Sequence, residues 1–329
     1  MSVNDFARER AVATEAARRA GRLCLAVRST LLSAPEQMEK GGHEPVTIAD
    51  YASQAVILHH LATHFPADSS LAEERADEFL KLATVEQRAT VLHYVEVIVG
   101  QQPSLDDLCG WLDYGRTAAS DRVWVIDPID GTKGFLRGDQ FAVAVALLVS
   151  GRPTVAALSC PLLPFDPNPE SPRGVIATAV LNRGAWLEPL QGHMGRSLHV
   201  SRISDIAGAR AVESVERGHT DHSFSEQIFR AVRLGGRPVQ MDSQAKYVAV
   251  ADGRAEVYLR QSPGAEYWEN VWDHAAGALI VSEAGGQVTD LRGAALDFSQ
   301  GARLFANHGI LATNGLLHDT LLQAIAGAR

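Results

Sequence analysis

The sequence predicts a mixed α/β protein in two parts, an α+β half over residues 1–160 and an α/β half over 161–329. Three observations carry that expectation. Helical periodicity dominates as far as Gly100. From residue 123 the texture changes to short β-prone runs split by Gly, Pro or Asn. Beyond "LLPFDPNPESPRG" at 162–174, strand-like and helix-like runs alternate, as in an α/β unit.

The elements follow in order. "MSVNDFARERAVATEAARRAG" opens an amphipathic helix of roughly thirty residues, with Phe6, Val12, Ala13, Ala16 and Ala17 inward. "TIADYASQAVILHHLATHF" and "VEQRATVLHYVEVIVG" give two more helices. "RVWVID", "FAVAVALLV", "TVAALSC", "GVIATAV" and "AWLE" read as strands. The stretch 162–174, with its four prolines, reads as a linker or exposed loop. After it come "ARAVESV", a helix following "HTDHSFSEQ", then "RPVQM", "SQAKYVAVADG", "AEVYLR", "WDHAAGALIVSEAGG" and a terminal helix from about residue 313.

Composition narrows the class. The 329 residues, 46% hydrophobic and 21% charged, suffice to bury a proper core. No apolar run reaches membrane-spanning length, so no membrane partner is expected. The arginine-rich start also carries Asp5, Glu9 and Glu15 and has no signal-peptide core, which points to a cytoplasmic location. A net charge of −9 without a basic block excludes long nucleic acid and leaves room for a small phosphorylated ligand. Cys24, Cys109 and Cys160 are scattered and odd in number, the pattern of reduced thiols, not of a disulfide framework or zinc site.

The chemistry concentrates in "DPIDGTKGFLRG", Asp127 to Gly138. The motif follows a strand, so Asp127 and Asp130 sit at a strand's C-terminal end, where α/β folds place functional groups. Pro128 and Gly131 shape a turn that aims both carboxylates at one spot. Converging carboxylates repel unless a proton or cation lies between them. Magnesium suits that place, being content with a few carboxylates plus phosphate oxygens. The amides after Gly131 would form a nest for an anion beside it. Other acids have ordinary readings when taken singly: Asp50 in "PVTIADYASQ" as a helix cap, Glu73 and Glu74 in "LAEERAD" as surface acids, Asp273 in "WDHAAG" as a helix opener.

As a set, these stretches resemble the inositol monophosphatase-like superfamily of magnesium-dependent, lithium-sensitive phosphatases. "DPIDGT" and "WDHAAG" carry the likeness, with Asp50 and "AEE" in support. "VESVERGHTDHS" and "MDSQAKYVAVADGRAEVYLR" are similar to the 3'(2'),5'-bisphosphate nucleotidase branch. The resemblance implies a layered α-β-α-β-α sandwich with the site between the halves. It implies Glu73, Asp127, Asp130 and the carbonyl of Ile129 as metal ligands, and Asp273 for a second Mg2+. Asp50 and Thr132 would activate the attacking water, while the amides of Gly131 and Thr132 hold the scissile phosphate. His219, Ser243, Lys246 and Arg260 would contact the nucleotide. The implied reaction removes the 3'-phosphate of adenosine 3',5'-bisphosphate, or of 3'-phosphoadenylyl sulfate in sulfur assimilation, in a monomer or small homo-oligomer.

Two stretches depart from the family pattern. Ala72 and Arg75 replace the usual Gly and Ser of Gly-Glu-Glu-Ser, which puts the loop geometry in question and makes Glu74 the reserve ligand. "HTDHS" replaces His-Ser-Ser-His-Asp around His219. An inositol phosphate or sugar bisphosphate phosphatase is the alternative within the superfamily, and a silent nucleotide or metal sensor the alternative outside catalysis.

Overall fold

The computed structural model describes residues 5–31, 37–40, 44–116, 120–168, 170–192, 194–215, 222–262, 264 and 267–328. The chain opens with α1 (Ala7–Leu31), a hairpin of β1 (Gln37–Lys40) and β2 (Glu44–Thr47), and α2 (Ile48–His64). Then follow β3 (Ser69–Ala72), α3 (Ala76–Leu82), α4 (Val85–Val99) and α5 (Leu105–Leu112). Capping boxes start two of these helices, Thr84 with Gln87 at α4 and Ser104 with Asp107 at α5. Next come β4 (Arg122–Asp130), α6 (Thr132–Arg137), β5 (Ala142–Val149), β6 (Arg152–Pro164), β7 (Arg173–Val180), β8 (Gly184–Pro189) and β9 (Arg196–Ser197). The chain ends with β10 (Ala211–Glu213), α7 (His222–Ala231), β11 (Val239–Gln240), α8 (Ala245–Ala251), β12 (Val257–Arg260), α9 (Ala275–Glu283), β13 (Gln287–Thr289), β14 (Ile310–Thr313) and α10 (His318–Ala328).

Strands β3 to β9 form one seven-stranded sheet in sequence order, and a five-stranded sheet runs β11-β10-β12-β14-β13. Side-chain alternation along β5 shows how the layers stack. Val143, Val145 and Leu147 pack with Ala13, Ala16 and Ala20 of α1 and the apolar residues of α2. Ala142, Ala144, Ala146 and Leu148 face the opposite way, toward Val248 of α8 and Ile280 of α9. Those two helices also meet Val212, Tyr258 and Ala312 of the small sheet. Its far face, with Val257, Leu259 and Leu311, is covered by Ile228 of α7 and by Leu321 and Ile325 of α10. The order is therefore α-β-α-β-α, as the resemblance implied. No described helix is long and apolar enough to cross a membrane.

The layers also show where the chain changes sheets. Residue 160 lies inside β6, and the chain leaves the large sheet only after Ser197. The proline-rich stretch read as a linker or exposed loop is the loop of the β6–β7 hairpin with the strand ends that flank it. Pro164 is accommodated because the β6–β7 register shifts between Cys160 and Pro164. The terminal helix begins at His318, not near 313, because Ile310–Thr313 pair with β12 and Gly315 then takes φ +81°.

Candidate active site

The acids gather at the C-terminal ends of β3 and β4. These strands run parallel with Ala72 opposite Ile126, so the next residues, Glu73 and Asp127, emerge side by side. The amide of Glu73 donates to the Ile126 carbonyl at 3.3 Å. The register of β4 with β5 shifts between Asp127 and Asp130, at Pro128, which has no N–H to give. The carbonyl of Pro128 instead accepts from Ser53 Oγ on α2 at 2.9 Å. Asp50, one turn earlier on α2, is buried.

The turn after Asp130 needs glycine. Gly131 has φ +84°, and a Cβ there would sit 3.0 Å from Cβ of Ser243. Thr132 starts α6 and its Oγ1 donates to the Ile129 carbonyl at 3.2 Å. The amide of Gln244 donates to Asp130 Oδ2, joining the small-sheet half to the acidic loop. Asp273 sits just before α9, where Asn270 Nδ2 donates to its Oδ2 at 3.4 Å.

Electrostatics show what this arrangement lacks. Burial pushes the Asp127 carboxyl well above the usual range, and the charges of Glu73, Asp130, Asp273 and Asp50 push it further. Its Oδ1 is buried with no hydrogen-bond partner among the described residues. Burial and Asp130 raise Asp273 to about 6 against the pull of Arg260. An orphaned oxygen among like charges fits a divalent cation, whose charge would relieve both the repulsion and the lost hydration. One oxygen or nitrogen from each of Glu269, Asp273 and His274 also lies within 4.8 Å of the others, but Glu269 and His274 are already paired with each other there at 3.3 Å.

The departures in "LAEERAD" sit in ordinary local structure. Ala72 sits in regular strand pairing that needs no glycine, and exposed Arg75 makes a local ion pair with Asp77 at 2.8 Å. The backbone is held from behind. The amide of Glu74 donates to Gln54 Oε1 at 2.8 Å, and its carbonyl accepts from Gln54 Nε2 at 2.8 Å and Arg116 Nη2 at 2.6 Å. Glu74, the reserve ligand, is itself buried.

The cations lie across from the acids on α8 and β12. Lys246 is buried, donates to the Met241 carbonyl at 3.3 Å and stands 5.4 Å from the Tyr258 ring centroid. Burial lowers it to about 8, although Asp130 draws it up. Arg260 Nη2 meets Glu269 at 2.8 Å and Asp273 at 4.0 Å. Burial pushes Glu269 up, yet Arg260 and His274 hold it down to about 2. Ser243 has φ +68°, and its Oγ accepts from the Ala245 amide at 3.2 Å, so its hydroxyl serves the start of α8. His219 lies outside the described residues. Glu269, Gln54 and Arg116 escaped the sequence reading. An acid four residues before Asp273 was the one visible signal for Glu269, whereas the clamp of Gln54 and Arg116 had none.

The inositol monophosphatase family profile matches residues 7–328. The chain belongs to that family. Among full-length relatives, the 3'(2'),5'-bisphosphate nucleotidase of Schizosaccharomyces pombe is 37% identical over 98% of this chain and 96% of its own length. That of Oryza sativa is 39% identical over 99% and 95%. Two solved structures share the fold at lower identity. An extragenic suppressor protein of Bartonella henselae superposes with TM-score 0.68 at 21% identity, covering 97% of this chain and 98% of that one. The inositol monophosphatase of Anabaena gives 0.63 at 24%, covering 98% and 97%. This inositol monophosphatase-family chain thus has a cluster of acids suited to metal, beside the buried Lys246 and the half-buried Arg260.

Proposed function

We propose that this protein is a magnesium-dependent phosphatase that removes the 3'-phosphate of adenosine 3',5'-bisphosphate. It would act likewise on 3'-phosphoadenylyl sulfate, giving AMP or adenylyl sulfate and phosphate. The observation that carries the reading is the placement of Lys246 and Arg260 beside the acid cluster, within electrostatic reach of Asp130 and Asp273 respectively. A monophosphate substrate has no need of that second cationic grip. Near full-length likeness to relatives named 3'(2'),5'-bisphosphate nucleotidase supports the same substrate class.

Glu73, Asp127, Asp130, Asp273 and the Ile129 carbonyl would hold two or more Mg2+. Magnesium there supplies positive charge to the phosphate oxygens and acidifies water. Asp50 and Thr132 orient the attacking water, Thr132 Oγ1 accepting from it while donating to Ile129, and Asp50 receiving the proton. The water oxygen bonds to phosphorus as the bond to the ribose 3'-oxygen breaks, and that oxygen takes a proton from solvent. The amides of Gly131 and Thr132 steady the nonbridging oxygens, the kind of preorganised donor that weighs most in such reactions. Arg260, as a fork, and Lys246, as a point charge, hold the 5'-phosphate, with His219 and Ser243 as further nucleotide contacts. A cytoplasmic location and a place in sulfur assimilation belong to the same reading.

Phosphate release from adenosine 3',5'-bisphosphate, inositol 1-phosphate and fructose 1,6-bisphosphate, each with magnesium and with EDTA, tests it. A magnesium-dependent preference for the nucleotide is expected, with inhibition by lithium at concentrations where sodium is inert. Preference for either other substrate would overturn the nucleotide assignment while sparing the acids.

A further inference from the structure

Glu269 is nearly inaccessible and four residues from Asp273, yet neither the acidic loop nor the family pattern uses it. Its carboxylate has three partners: an ion pair with Arg260 Nη2 at 2.8 Å and hydrogen bonds with Ser262 Oγ at 3.1 Å and His274 Nε2 at 3.3 Å. The other ring nitrogen of His274 lies 2.8 Å from the Tyr247 hydroxyl. One proton arrangement satisfies the whole chain. Tyr247 donates to Nδ1, and Nε2–H donates to Glu269. A buried line of hydrogen bonds therefore runs from α8, at the residue after Lys246, through His274 to Glu269, which forms an ion pair with Arg260 at the end of β12.

This line decides which face of Arg260 is available. Nη2 is taken up by Glu269, with Tyr267 Oη at 3.5 Å. Nε is buried with no partner among the described residues. A guanidinium offers five N–H groups in a rigid fork. With Nη2 turned to Glu269, Arg260 keeps its unpartnered Nε–H as a donor for an anion, while Glu269 balances its charge before substrate arrives. Without Glu269 the same guanidinium would be drawn toward Asp273, 4.0 Å away.

We propose that Glu269 is a positioning residue that sets Arg260 for the second phosphate of the substrate and keeps it off Asp273. The proposal rests on the nucleotidase reading above. Its consequence is specific: loss of the Glu269 charge should damage recognition of the 5'-phosphate and leave the handling of the scissile 3'-phosphate intact.

The test compares adenosine 3',5'-bisphosphate with adenosine 3'-monophosphate, which differ only in the second phosphate, for wild type and Glu269→Gln, with melting temperatures alongside. For Glu269→Gln the bisphosphate KM is expected to rise about tenfold or more, the scale of a charge-assisted hydrogen bond, with kcat and the monophosphate KM within about twofold. In an Arg260→Met background the same substitution should add little, because the two act as one unit. An unchanged bisphosphate KM, or equal losses on both substrates, would overturn the role. Should Glu269→Gln fail to fold, Ser262→Ala, which removes one bond to Glu269, decides instead: a rise confined to the bisphosphate KM supports the role and no rise overturns it. If wild type treats both substrates alike, the second-phosphate grip itself falls and the proposal falls with it.

Discussion

The charges that weigh most on Asp127, at the end of the large sheet, are all acids, and one of its oxygens is buried without a partner. Arg260, at the end of the small sheet, is held by Glu269 at 2.8 Å, and Glu269 in turn by His274 and Ser262. The first region is incomplete in charge, and the second is complete in charge, with Arg260 Nε left open. An incomplete cluster spends fold stability on repulsion and recovers it only when a cation binds. A complete one stays rigid without any ligand and so presents a preformed face to an anion. The contrast divides the labour: metal chemistry at one sheet end, substrate choice at the other.

The largest effect should come from Asp127→Asn. Turnover is expected to fall on the order of a hundredfold to a thousandfold, the scale for removing a preorganised charge-stabilising group. The metal-free melting temperature should move the opposite way, up by about 2 °C or more, as about 1 kcal/mol of repulsion is relieved. A falling melting temperature without metal would show that the cluster is not incomplete after all.

Magnesium sharpens the comparison through pH. Asp127 and Asp273 have raised folded-state values, Asp273 reaching about 6. A raised carboxyl binds its proton more tightly folded than unfolded. Its contribution is therefore fully present below the unfolded value of about 4 and is lost as pH rises through the folded one. Melting temperatures with and without magnesium at pH 5 and 7.5 should show the larger magnesium-induced rise at 7.5. Equal rises would mean that these acids do not face the ion.

Smaller effects are expected behind the cluster. Gln54→Ala removes both bonds to the Glu74 backbone and should cost about 1–3 kcal/mol, read by denaturant unfolding. It should also raise the magnesium concentration for half-maximal rate by about tenfold, the usual reach of groups that orient ligands. Arg75→Ser, which restores the family residue at an exposed ion pair, should stay within about 0.5 kcal/mol.

Much of this was legible in the chain. "DPIDGTKG" after "RVWVI" announced a strand ending in paired acids, because Pro128 and Gly131 have few other uses there. "FAVAVALLV" announced a strand, and β5 proves to be buried on both faces. Two open points have a common origin. The prolines at 162–174 left linker and exposed loop both open, because local propensity does not reveal that the flanking segments pair as β6 and β7. Ala72 read as a threat to the Glu73 loop because the pairing of β3 with β4 is not a local property.

By itself the sequence determined the element types, the acidic loop and the family, because these rest on local dihedral preferences, periodicity and closely spaced residue types. Only the tertiary structure decided that Glu73 stands beside Asp127, since parallel register is set by strands more than fifty residues apart. Tertiary structure alone also decided that Gln244 braces Asp130 and that Glu269 engages Arg260. Those contacts join segments whose separation in sequence carries no signal of their distance in space. Burial then sets their strength, because a charge removed from water has only its neighbours to answer it.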